Sequence, residues 1–130
     1  MSGSTAESLQ ERLARATALK NEGQYEEALA EFRGILEEDP TNVEARVGLG
    51  LVLCFTGEFD TSVAELEHAA RDGPESVLAR LSLAKAYAML GKYEEAKQEF
   101  SQVLRISPGH KEALKQLAFF EPSKDEKSGL

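Results

Sequence analysis

His68 and Asp72 lie four residues apart, a spacing that puts two side chains on one face of a helix. A metal ion held by protein groups asks for about four ligands drawn from His, Cys and carboxylate. Asp72 is a single weak ligand beside a single imidazole, and His110, soon after Pro108, has no mate at three or four residues. Solvated or helix-capping roles are the simpler ones for both histidines. Cys54 is the sole cysteine and stands between Leu53 and Phe55, with no histidine near it in sequence. Reactive thiols sit in electropositive, partly open settings, so this one is expected to be buried or at the edge of a groove. The pairs Glu26-Glu27 and Glu94-Glu95 open helices, where acids complement the helix dipole. The glycines read as helix stops, and no loop of them could cradle a phosphate. The expectation is a non-enzyme with no catalytic residue, no metal and no cofactor.

The 130 residues are 42% hydrophobic and 29% charged, the balance of one folded domain. The net charge of −8 opposes nucleic-acid binding and attachment to an anionic membrane. Residues 1–42 carry nine acids and four bases, and 43–76 carry seven and two, −5 each. Residues 77–110 reverse this with three and five, and 111–130 balance at four each. Solvated outer faces explain most of that gradient, although a partner of opposite polarity could use it for orientation. A single cysteine suits a reducing compartment. Met1 to Thr5 shows no secretory pattern and no apolar run approaches the ~20 residues of a membrane span. The expected location is cytoplasmic, and the expected state a monomer.

The elements that must position any site are all helices. Apolar residues recur at three and four from Leu9, after a flexible lead over 1–8 and a capping box of Ser8 with Glu11. Gly23 ends that helix, and a second runs to about Glu38, stopped by Asp39-Pro40. Thr41 with Glu44 predicts another capping box, opening a helix over 43–55. Further helices are predicted over 58–71, 77–90 and 92–106, and a last one over 111–121. Pro122 ends it, and 122–130 reads as a disordered polar tail. No stretch alternates as a strand would. Links this short force neighbouring helices to pack antiparallel, so the fold class is all-α.

The chain also repeats itself. Gly23-Gln24-Tyr25-Glu26-Glu27-Ala28, Gly57-Glu58-Phe59-Asp60-Thr61-Ser62 and Gly91-Lys92-Tyr93-Glu94-Glu95-Ala96 are spaced 34 residues apart, as are Pro40, Pro74 and Pro108. A fixed period of that length marks a stacked array of helix pairs, with units 9–42, 43–76 and 77–110. Counted from Leu9, Val43 and Val77, the eighth position is Ala16, Gly50 and Ala84, and the twentieth Ala28, Ser62 and Ala96. Small residues there let two backbones approach. Larger groups fill the seam around them: Leu19, Leu53 and Tyr87, then Tyr25, Phe59 and Tyr93, then Phe32, Leu66 and Phe100. Each unit buries its apolar face only against a neighbour.

This pattern resembles the tetratricopeptide repeat family over residues 9–110, most fully in Ala84, Tyr93, Ala96, Phe100 and Pro108, with 111–121 as a terminal capping helix. Arg12, Arg46 and Arg80 depart from it at the fourth position, and Arg15 at the seventh. The resemblance implies a right-handed superhelical solenoid of three antiparallel helix pairs, whose first helices line a concave groove. The groove residues it implies are Leu13, Thr17, Val47, Leu51, Leu78, Leu81 and Lys85, with Phe55, Met89 and Phe119 at the edges. Val47, Leu51 and Leu81 are expected to be exposed. In the cap, Ala113, Leu114, Leu117, Ala118 and Phe120 are expected to face the last repeat, with Glu112, Lys115 and Gln116 in water.

An apolar groove points to a binding surface for a protein or peptide. The function implied is an adaptor or scaffold holding an apolar or amphipathic segment. Alternatives are a holding chaperone for an aggregation-prone client and self-assembly through the ends of the stack. Some members of the family clamp acidic chaperone tails with lysines, asparagines and an arginine. The matching positions here are Leu13, Thr17, Gly48, Leu78 and Ser82, none of which offers a charge-assisted donor. An acidic peptide is therefore expected not to bind.

Overall fold

A computed structural model describes residues 7–120. It contains α1 (Leu9–Asn21), α2 (Tyr25–Glu38), α3 (Val43–Phe55), α4 (Phe59–Asp72), α5 (Val77–Met89), α6 (Tyr93–Ile106) and α7 (Lys111–Phe120). Among the described residues there is no strand, and no helix is long and apolar enough to cross a membrane. Residues 1–6 of the lead predicted over 1–8, and the tail predicted over 122–130, lie outside the described residues.

The capping box at Ser8 is present: the Glu11 N–H donates to Ser8 Oγ at 3.1 Å, and the Ser8 N–H to Glu11 Oε1 at 3.0 Å. The predicted box at Thr41 is not what starts α3. Asn42 is the cap, its Oδ1 accepting from the Ala45 N–H at 2.9 Å. Two candidate caps stand side by side in the sequence, and asparagine, one residue closer, caps at least as well. Ser76 caps α5 in the same way, accepting from Ala79 at 3.1 Å.

Each pair of helices turns on a glycine in the left-handed region: Gly23, Gly57 and Gly91, with φ of 80°, 86° and 76°. At each turn the N–H just after the glycine donates back to the carbonyl four residues before it: Gln24 to Leu19, Glu58 to Leu53 and Lys92 to Tyr87, at 2.8–2.9 Å. A side chain there would cost the left-handed penalty that glycine avoids. Consecutive helices pack on one another from α1 through to α7, and the first helices α1, α3 and α5 also touch in sequence. That puts the first helices on one inner layer and α2, α4 and α6 on the other.

The small positions are where the layers close. Ala16, Ala28, Ala84 and Ala96 are fully buried and Ser62 is 1% exposed. A Cβ added at Gly50 would lie 2.7 Å from Leu66 Cγ. Phe32, Leu66 and Phe100, one per unit, are completely buried in the seams. The core falls into two clusters, one around Phe32 and Ile35 and one from Val47 and Leu66 through to Ala113.

The arginines at the fourth position are part of the repeat. The Arg46 guanidinium meets Glu65 at 2.7 Å and donates to the Pro40 carbonyl at 2.9 Å. Arg80 repeats this with Glu99 at 2.9 Å and the Pro74 carbonyl at 3.1 Å. Each one ties the turn leaving the preceding unit to the second helix of its own. Arg12, in the first described unit, pairs with Glu38 at the far end of α2. Arg15, at the seventh position, pairs instead with Glu31 at 3.0 Å and with Glu7.

Candidate functional site

His68 Nε2 lies 3.3 Å from Asp72 Oδ2, both near the surface, and among the described residues no group of three His, Cys, Asp or Glu could hold a metal ion. His110 caps α7, its Nδ1 accepting from the Ala113 N–H at 3.2 Å. Cys54 is 8% exposed, and burial pushes its thiol up, away from the thiolate that a nucleophile needs. Its Sγ lies 3.7 Å from Met89 Sδ. Tyr87 donates to Glu67 at 2.5 Å across the α4–α5 contact, and burial, reinforced by that carboxylate, pushes its phenol up.

The concave face of the first helices is the extended feature. Three hollows run along it and share their walls. The first, about 650 Å³, lies between α1 and the start of α3 and is lined by Gln10, Leu13, Thr17, Asn21, Asn42 and Glu44 among others. The second, about 200 Å³, shares Leu13, Thr17 and Glu44 with it and adds Lys20, Gly48 and Leu51. The third, about 290 Å³, takes over Leu51 and Leu78 and is walled by Cys54, Phe55, Leu81, Lys85 and Met89. The face thus mixes polar and apolar groups with one acid, Glu44, at the α1 end and is almost wholly apolar at the α5 end. In the third hollow Phe55 is 55%, Leu78 47% and Met89 62% exposed. The rim of Phe55 is braced by Tyr25, with ring centroids 5.7 Å apart. Lys85 is the one cation in that hollow, and it pairs with Glu112 of α7 at 3.0 Å.

Nine of the ten residues expected at the groove fall along this line, but two expectations need correction. Val47 reaches the second hollow yet is 1% exposed, not open to solvent. Its helix is flanked by α1 and α5 at once, so the middle unit is closed on both sides. Leu51 and Leu81, expected to be exposed as well, are half-buried, as is Leu13. Phe119 does not join the groove. It is 85% exposed and lines a separate hollow with Tyr93, Glu94, Lys97 and Phe120. The cap also differs from expectation: Ala113, Leu117 and Phe120 pack inward, whereas Leu114 and Ala118 are exposed and Glu112 is held by Lys85.

Gln10 and Glu44 were not anticipated. They occupy the second position of their units, as Leu78 does in the third, so the repeat alone could have placed them. Cys54, expected to be buried or at the edge of a groove, is 8% exposed and stands in the wall of the third hollow.

A tetratricopeptide repeat model matches residues 19–85 and again 56–118. The chain belongs to the tetratricopeptide repeat family. No curated protein matches it. Among solved structures, the first tetratricopeptide domain of Spaghetti (RPAP3), bound to the HSP90 peptide SRMEEVD, superposes with a TM-score of 0.79 at 21% identity, covering 85% of this chain and 88% of that one. The Yersinia enterocolitica type III secretion translocator chaperone SycD does so with a TM-score of 0.76 at 19% identity, over 88% and 89%. YrrB, described as a tetratricopeptide protein with an unusual peptide-binding site, gives 0.74 at 22% identity, over 85% of this chain and 57% of its own. At these identities the likeness is one of fold.

Proposed function

We propose that this tetratricopeptide domain is a non-catalytic interaction module that holds an apolar or basic-amphipathic segment of a partner protein along α1, α3 and α5. The observation that carries it is the third hollow, where Phe55, Leu78 and Met89 leave large apolar side chains in water and line one cavity. Such patches are costly unless covered by a partner, and burying each exposed portion is worth roughly 1 kcal/mol. Leu13, Thr17, Leu51, Leu81 and Lys85 continue the same surface, and Glu44 at its other end favours a basic residue in the ligand. The net charge supports a protein partner over nucleic acid or an anionic membrane, and the single cysteine supports a cytoplasmic setting.

The positions that would have to bind an acidic tail are Leu13, Thr17, Gly48, Leu78 and Ser82. Gly48 and Ser82 are buried, and none carries a cation. Isothermal titration tests the reading with two probes, a basic amphipathic helical peptide and the acidic peptide SRMEEVD. The first is expected to bind with little dependence on salt, and to lose about tenfold or more in Leu78→Asp; the second is expected not to bind. Micromolar binding of SRMEEVD that salt abolishes would overturn the proposal. The likeness in fold to a secretion chaperone favours a second reading, in which the same groove holds an unfolded client. Suppression of client aggregation at a stoichiometric ratio, lost in Leu78→Asp, would select it.

A further inference from the structure

The third hollow has a rim and a floor. Phe55, Leu78 and Met89 stand exposed around its mouth, whereas Cys54, Leu66, Ser82 and Ala86 are buried and form its depth. Lys85 is the one charged residue in the wall, and it is already paired with Glu112. Among the described residues no carboxylate lines the hollow.

Ser82 does not fit this apolar floor. It is 8% exposed and lines the hollow, and among the described residues its hydroxyl makes no hydrogen bond. A serine inside a helix can satisfy itself on the carbonyl four residues back, here that of Leu78, and the buried Ser62 hydroxyl does find a carbonyl, that of Gly50. The first two units carry Ala14 and Gly48 at the position of Ser82, so the packing of the repeat does not call for a hydroxyl. Alanine would also form the helix more readily. The partner of this hydroxyl is left to whatever fills the hollow.

We propose that the partner segment held along the groove inserts a tyrosine here, its ring between Phe55, Leu78 and Met89 and its phenolic oxygen bonded to Ser82. This assignment rests on the groove reading and adds the side chain that the groove selects. Sealing the hollow with a purely apolar group would take water from the Ser82 hydroxyl and leave it unpaired, a cost that a tip with its own hydroxyl avoids. A lysine or arginine would find no carboxylate at the floor. An aspartate or glutamate would bury its charge among Leu66, Ala86 and Cys54 with no free cation beside it. Tyrosine keeps an apolar body and carries its polar group at the tip, whereas the tryptophan N–H lies on the flank of its ring. The walls also suit a ring. Cys54 Sγ and Met89 Sδ, 3.7 Å apart, bring two polarisable sulfurs to one side, and Lys85 places a cation at the mouth.

The probes are three versions of one basic amphipathic helical peptide that differ at a single central position, tyrosine, phenylalanine or alanine. Each is titrated calorimetrically against the full chain. The tyrosine version is expected to bind about threefold to tenfold more tightly than the phenylalanine version, the worth of one hydrogen bond, and the alanine version most weakly. Ser82→Ala should abolish the preference for tyrosine over phenylalanine. It should leave the melting temperature unchanged or higher, because the hydroxyl has no partner in the fold to lose. A preference for tyrosine that survives Ser82→Ala would overturn the assignment. If the three versions bind alike, the groove holds the segment but the hollow takes no tyrosine. If none binds, the groove reading fails, and NMR titrations with p-cresol and toluene, the bare side chains of tyrosine and phenylalanine, decide the hollow. Amide shifts at Ser82 and Met89 that favour p-cresol in wild type, and no longer in Ser82→Ala, sustain the tyrosine site; their absence overturns it.

Discussion

The Ser62 hydroxyl donates to the carbonyl of Gly50 at 2.6 Å, joining the two small positions of the middle unit inside the core. Ala16 with Ala28 and Ala84 with Ala96 occupy the equivalent places with no polar atom at all. The middle unit thus satisfies the polar side chain at its small positions by turning it onto a helix carbonyl, as a buried hydroxyl must.

Enlarging a small position should therefore cost far more than trimming the groove. Ala84→Leu is expected to lower stability by about 1–3 kcal/mol through overpacking. Leu78→Ala, at a largely exposed site, should stay within about 0.5 kcal/mol. Urea titrations of the two variants decide this, and equal midpoints would mean that the helices do not meet at Ala84.

Gly48 is a second close approach, between units. A Cβ added there would fall 2.3 Å from Cε1 and Cζ of Phe32, and Phe32 is locked at 1% exposure. Alanine normally favours a helix over glycine by about 1 kcal/mol. Gly48→Ala should nevertheless destabilise, because a rigid ring inside a close-packed seam cannot yield by more than an ångström. A thermal melt showing stabilisation would contradict the contact.

The arginine staples predict a difference between carboxylates. Glu65 is three-quarters buried and faces Arg46, itself 13% exposed, with the Arg46 Nε already lacking a partner. Glu65→Ala would strand a mostly buried guanidinium and should cost about 1–3 kcal/mol. The same change at Glu94, which is 81% exposed beside Lys97, should be close to neutral. Chemical denaturation of the two variants measures the contrast.

Glu75 supplies a pH test. Arg105 grips it through two bonds, at 2.7 and 3.2 Å, and that hydrogen bonding holds its carboxyl below the ordinary range. A carboxyl lowered on folding adds stability above its unfolded value and loses it as pH falls through the folded one. Wild type should therefore exceed Glu75→Gln at neutral pH, and the gap should close in acid. Melting temperatures across the acid range would show it, and a gap that widened in acid would reverse the assignment.

Which residues form helices, and where each helix turns, was legible in the chain because those are local matters. Gly23, Gly57 and Gly91 need a backbone that only glycine adopts cheaply, and apolar spacing fixes which side of a helix faces its mate. The period of 34 residues then identified the stacking and most of the groove. The period could not distinguish Val47 from Leu13 and Leu81, which hold the same position in successive units. Only the assembled stack shows that α3 is covered by α1 and α5 at once, whereas α1 touches α3 alone among the first helices and α5 meets α7 through the Lys85–Glu112 pair. Packing also decides that Leu114 and Ala118 are exposed, whereas Ala16, Gly50 and Ala84, the counterparts of Ala118, are buried. It also explains Arg46 and Arg80, which look misplaced until the preceding turn and the following helix bring a carbonyl and a carboxylate to them. Position along a repeat is written in the sequence, but burial depends on what lies on either side, and tertiary packing decides that.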